Sequence, residues 1–128
     1  MLDLAQQAHG QIIDFWKFFV PSALVLLGWI FSRKEPWPLT QRVAVAIAYI
    51  GFAVFNVLGL VGSYELLGTL VDELEKSKAM GDLTEGAFTA VVSRLDMGEW
   101  RLGIAFHFVV DLIVLYFILV WAGRKHTP

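Results

Sequence analysis

The chain has 128 residues, of which 57% are hydrophobic and 17% charged, and the charged residues lie mostly between or outside the apolar stretches. This segregation is typical of membrane-spanning segments, and the length leaves little room for anything else. A net charge of -2, without a long basic stretch, argues against a nucleic-acid partner, and the lack of cysteine excludes disulfides and thiol chemistry. No removable signal peptide is predicted, because the first eleven residues contain no basic side chain.

The first predicted element is a membrane-spanning helix over residues 12–31. Asp14 and Lys17 near its start are three residues apart, so their side chains can pair or extend toward lipid headgroups. Pro21 removes one backbone donor from the helix, which predicts a bend. The prolines and charges of residues 32–38 cannot continue a buried helix, so a short turn leads to an antiparallel second helix.

A second span is predicted over residues 43–64, with an amphipathic continuation beyond Glu65 in which apolar residues keep helical spacing. Small residues lie close to one face of this span, and such a face lets another helix approach closely in lipid. We expect this helix-packing face to be covered within the same chain. Its residues are Ala44, Ala48, Gly51, Gly59 and Gly62.

Gly81 is expected to end the long second helix, and Asp82 with Glu85 has the spacing of a capping box that opens a short third helix. The continuation and the short helix are predicted to form an amphipathic helical hairpin over residues 65–100, outside the membrane. A third span over residues 102–122 follows. The predicted fold is an all-α integral membrane protein with three transmembrane helices, built as one domain over residues 1–128.

The tryptophans and the basic residues predict how the chain is oriented. All five tryptophans lie near predicted span ends, where indole rings collect at the headgroup level, and they form a predicted interfacial belt: Trp16, Trp29, Trp37, Trp100 and Trp121. The short first loop and the tail are basic, whereas acids dominate the long second loop. The positive-inside rule therefore predicts a cytoplasmic C-terminus and an outside N-terminus in a bacterial inner membrane.

Polar side chains inside the spans are the best functional lead. A rise of about 1.5 Å per residue, counted from the predicted cytoplasmic ends, places four of them in one layer. These are Asp111, His107, Asn56 and Ser22. A charged group at this depth costs about 2.5–3.5 kcal/mol, so it is rarely kept without a partner or a function. Hydrogen bonding between helices explains the layer somewhat better than a proton or ion relay does.

These features predict a non-enzymatic membrane subunit. The sequence contains no nucleophile and base at recognisable spacing and no phosphate-binding glycine loop. We expect a protein that self-associates, or is an accessory subunit of a larger membrane complex, with the lipid bilayer as its surroundings and the polar layer fixing helix contacts. The alternatives are an oligomeric proton or cation channel gated by Asp111 and His107, and a haem or quinone membrane anchor.

Two resemblances bear on these alternatives. The segment from His107 to Asp111 resembles the His and Asp residues of the three-helix membrane anchors of succinate dehydrogenase, which bind haem b and quinone. Their haem histidine lies on the middle helix, however, and the resemblance covers five residues. The three-span topology is similar to that of small phage holins, whose helices are connected more tightly. Because His9 and His126 lie at other depths, no metal site and no cofactor are expected.

Overall fold

The computed structural model describes residues 2–81, 84–93, 95 and 100–124, and every element in these ranges is helical. Helix α1 covers Leu2–Ser32, α2 covers Leu39–Ala79, α3 covers Glu85–Val92 and α4 covers Trp100–Leu119, with a 3-10 turn at Trp121–Gly123. Helices α1, α2 and α4 are long and apolar enough to cross a membrane. The prediction of an all-helical chain with three candidate spans is therefore confirmed at this level.

Helix α1 begins at Leu2, about ten residues before the predicted start of the first span. The added turns bury Ala5 and Ala8 against the distant half of α2, where Leu67 and Leu74 belong to the same apolar cluster. Helix α1 also runs through Pro21 without ending. The long second helix therefore packs against α1 beyond the predicted span, and not only against the short helix α3.

Helix α2 is continuous over 41 residues, as predicted for a span with a helical continuation. At about 1.5 Å per residue it is about 60 Å long, roughly twice the thickness of the hydrocarbon layer. The chain turns directly after α2 at Gly81, whose φ of 84° lies in the left-handed region that favours glycine.

Helix α3 begins after Thr84, whose hydroxyl oxygen accepts a hydrogen bond from the backbone N–H of Ala87. The proposed capping residue Asp82 lies outside the described residues. Helix α3 has no fully buried side chain, but Phe88 and Val91 pack against the apolar cluster that α1 and α2 share. The short helix thus rests on the end of α2, and its position outside a membrane stays a prediction.

Hydrogen bonds connect the loop between α1 and α2 to the end of α4. The backbone N–H of Trp37 donates to the carbonyl oxygen of Ala122 over 2.9 Å. The guanidinium of Arg33 donates to the Trp121 carbonyl oxygen, and that of Arg42 to the Leu119 carbonyl oxygen. Carbonyl groups at a helix C-terminus lack partners within the helix and carry partial negative charge, so two arginines stabilise this end of α4. The loop and the end of α4 therefore lie at the same end of the bundle.

Candidate functional site

Three of the four polar residues predicted to share a layer meet in the centre of the bundle. His107 and Asp111 lie four residues apart on α4, and their Nδ1 and Oδ2 atoms are 2.8 Å apart. The other ring nitrogen of His107, Nε2, lies 2.9 Å from Oδ1 of Asn56 on α2. Ser22 is not brought to this site, because its side chain lies on an exposed part of the α1 surface.

Two further groups extend this arrangement into a chain of hydrogen bonds. The hydroxyl of Tyr49 on α2 donates to Oδ1 of Asp111 over 2.8 Å. At the other end, Nδ2 of Asn56 donates to the backbone carbonyl oxygen of Phe15 on α1 over 3.3 Å. We call Tyr49, Asn56, His107 and Asp111 the polar cluster. It connects all three long helices.

The position of the protons follows from the last of these bonds. A backbone carbonyl only accepts, so Asn56 must direct its NH2 group to Phe15 and its oxygen to His107. Nε2 of His107 therefore carries a hydrogen. A single proton remains for the contact between Nδ1 of His107 and Oδ2 of Asp111, and it lies on either the nitrogen or the oxygen. The pair is neutral overall in both arrangements, which suits a buried site.

Aromatic rings cover the polar cluster. His107 is completely buried, and its ring stacks on Phe19 with ring centres 3.6 Å apart and planes tilted by 19°. The Trp16 ring lies edge-on to the same imidazole, with ring centres 5.9 Å apart. Within the described ranges, no third His, Asp or Glu joins His107 and Asp111 in a metal-binding group. Both ring nitrogens and one ring face are therefore occupied by side chains of this chain.

Tyr49 is the member of the cluster that sequence reasoning missed. A signal for it exists, because Tyr49 lies seven residues, about two helical turns, before Asn56 and so shares its face. Because a phenol ring is mostly apolar, Tyr49 fits the hydrophobic pattern of the span and was not recognised as a polar site residue. Its burial beside Asp111 gives its hydroxyl the partner that a buried tyrosine usually has.

The predicted helix-packing face of α2 points mostly away from the rest of the chain. Ala44, Ala48, Gly51 and Gly62 are exposed, so the expected cover from within the same chain is not seen for these four. Gly59 differs, because a side chain there would collide with the ring of Phe15. Of these five residues, Gly59 is therefore in close contact with α1, and the other four are exposed.

The tryptophans divide into two groups. Trp29 and Trp37 lie together near the first loop with ring centres 4.7 Å apart, and Trp121 follows the end of α4. At the other end of the bundle, Trp100 stacks on Tyr64. Trp16 lies in the middle of α1, since this helix begins earlier than predicted, and it packs beside His107. Four of the five therefore lie near ends of helices or turns, and Trp16 covers the polar cluster.

The fold and the site together define a small helical protein with three candidate membrane spans and a buried polar cluster between them. Comparisons with protein-family models, curated proteins and solved structures gave no match. The function must therefore be argued from the site itself.

Proposed function

We propose that this is an integral membrane protein that acts as a non-enzymatic subunit, either self-associating or accessory to a larger membrane complex, with the polar cluster fixing its helix contacts. The observation that carries the proposal is the chain of hydrogen bonds from Tyr49 to the Phe15 carbonyl, which links α1, α2 and α4. Every nitrogen and oxygen atom of the four side chains has a partner.

The membrane environment makes such a chain of hydrogen bonds important for stability. The hydrocarbon interior offers no water to an unpaired polar group, so leaving one exposed there costs several kcal/mol. Bonds between membrane helices contribute only about 0.6–2 kcal/mol each, but they fix one rotation and one height for each helix. A neutral, enclosed cluster of this kind supports a structural role.

The open part of the helix-packing face supports association with another helix. Helices in lipid associate through close packing, for which small side chains are well suited. A Cβ atom added at Gly51 would meet no atom of this chain within 4 Å. We propose that the part of this face around Ala44, Ala48 and Gly51 contacts a second copy or a partner subunit.

Particle mass in a mild detergent tests this proposal. Gly51→Leu should lower the mass, because leucine keeps a second helix at a distance, while the fold of the single chain is preserved. Ala105→Leu is the matched control, since Ala105 is also exposed but lies on α4. A normal particle that contains one chain and no partner, or an unchanged mass for Gly51→Leu, would contradict association through this face.

The proposed orientation has the first loop in the cytoplasm and residues 65–100 outside, in a bacterial inner membrane. The sequence contains no cysteine, so single cysteines can be introduced without background labelling. Ser77→Cys should react with an impermeant maleimide in intact cells, and Ser32→Cys should react only after lysis. The opposite pattern would reverse the orientation.

One observation favours a second candidate, an oligomeric proton channel gated by Asp111 and His107. These side chains hold a single proton between Nδ1 and Oδ2, 2.8 Å apart, which is a suitable distance for transfer. Proton flux into liposomes tests the channel candidate.

A haem anchor is less well supported, because an iron ligand at His107 would have to displace Asn56 or Asp111.

A further inference from the structure

A groove of about 450 Å³ runs along the outer junction of α1 and α2, apart from the polar cluster. Gly62 borders it, and a Cβ atom there would meet no atom within 4 Å, whereas the ring of Phe15 covers Gly59. Phe18 and Leu58 form apolar walls, and both are more than 60% exposed. The groove is therefore wide and apolar enough to take part of an alkyl chain.

The other end of the groove is polar. Gln11 and Asp14 line it, and the carboxylate of Asp14 lies 3.7 Å from the ammonium group of Lys17. Both side chains of this ion pair are about two-thirds exposed, at 65% and 69%. Asp14 lines the groove and Lys17 pairs with it from the side, so a molecule that carries both charges can exchange this exposed ion pair for contacts with its own two charges.

The aromatic side chains indicate the level of this polar end in a bilayer. Ser63 lies in the groove, and its neighbour Tyr64 stacks on Trp100 with ring centres 5.6 Å apart. Paired aromatic rings with one polar edge are typical of the headgroup region. Asp14 and Lys17 flank Phe15, whose backbone carbonyl bonds to the polar cluster, so their side chains extend along α1 toward this level. Phe18 and Leu58 lie deeper, beside the acyl chains.

We propose that this groove binds a phospholipid with a primary ammonium headgroup, such as phosphatidylethanolamine. Asp14 and the Gln11 side-chain carbonyl accept hydrogen bonds from the ammonium, Lys17 pairs with the phosphate, and an acyl chain lies over Gly62 beside the ring of Phe15. A primary ammonium has three N–H donors, whereas the quaternary ammonium of phosphatidylcholine has none. The inference rests on the membrane insertion contained in the proposed function.

The test uses the full chain in vesicles of equimolar phosphatidylethanolamine and phosphatidylcholine, followed by native mass spectrometry of the extracted protein. An exposed ion pair contributes about 0.2–1 kcal/mol, so the wild type should retain phosphatidylethanolamine roughly 1.4- to fivefold over phosphatidylcholine. Asp14→Asn should bring this ratio close to one. Gly62→Leu should lower the total retained lipid by filling the groove, where an added Cβ atom meets no atom of the chain within 4 Å.

Two controls separate this inference from the proposed function. Ala105→Leu introduces leucine at an exposed small residue of α4 outside the groove, so its lipid ratio should match the wild type. Asp72→Asn removes an exposed acid elsewhere and should also leave the ratio unchanged. Equal retention of both lipids by the inserted wild type, or an unchanged ratio in Asp14→Asn, would overturn the lipid site alone. Failure of the chain to enter vesicles would overturn both proposals.

Discussion

Replacing Asp111 in two ways separates a structural polar cluster from a proton relay. In Asp111→Asn, the amide oxygen still accepts from the Tyr49 hydroxyl, and the amide NH2 donates to Nδ1 of a neutral His107. Nε2 of that imidazole keeps its hydrogen and its bond to Asn56. Every bond of the cluster survives in this variant. In Asp111→Leu, the Tyr49 hydroxyl and Nδ1 of His107 both lose their partner.

The size of the difference follows from these two lost partners. An unpaired buried polar group costs about 1–3 kcal/mol, so two of them predict a loss of about 2–6 kcal/mol in the free energy of unfolding for Asp111→Leu. Bonds between membrane helices tend toward the weak end of such ranges, which favours the lower part of this interval. Asp111→Asn should stay within about 1 kcal/mol of the wild type, because it leaves no group unpaired.

Reversible unfolding by SDS in mixed micelles, followed by helical circular dichroism, measures both variants against the wild type. An Asp111→Asn protein as unstable as Asp111→Leu would refute this account of the bonds. Proton flux into liposomes adds a second measurement, because an amide cannot exchange a proton near neutral pH. Flux by the wild type that disappears in a stable Asp111→Asn protein would favour the channel over the structural role.

Two smaller predictions use the same unfolding measurement, and a third uses amide hydrogen exchange. Tyr49→Phe leaves the buried Oδ1 of Asp111 without a donor and should cost about 1–3 kcal/mol, whereas Tyr116→Phe, at an exposed position on α4, should be neutral. Gly59→Ala forces an aromatic ring to move and should cost about 1–3 kcal/mol, while Gly51→Ala meets no atom and should be neutral or stabilising. Arg42→Ala should destabilise the end of α4 by about 1–2 kcal/mol, seen as faster amide exchange there, and unchanged exchange would argue against its capping role.

The sequence predicted the helices better than it predicted their rotation. Counting residues along each span gives a depth, and depth alone grouped Asn56, His107 and Asp111, which hydrogen bonds connect in the structure. It also grouped Ser22, which lies on an exposed part of α1. Rotation about a helix axis depends on which side chains its neighbours present. A span that is apolar on all sides gives little information about its own rotation.

The early start of α1 was missed for a related reason. Its first turns are buried largely through Ala5 and Ala8, with polar side chains such as Gln6 and Gln7 between them. Alanine adds little to a hydrophobic pattern, so the segment before residue 12 resembles a polar extension rather than a packed helix. Its partner residues on α2 follow more than fifty residues later, and only the tertiary structure brings the two segments together.

The dependence of the bundle on α4 has a consequence for how the chain is made. This helix is synthesised last among the long helices, yet it supplies His107 and Asp111 to the cluster and carbonyl groups to Arg33 and Arg42. Before α4 is made, the side-chain oxygen of Asn56 lacks the ring of His107, its hydrogen-bond donor. With the proposed membrane insertion, a chain truncated before α4 would present this unpaired group to hydrocarbon, and a protease that recognises such groups would distinguish it from the finished protein.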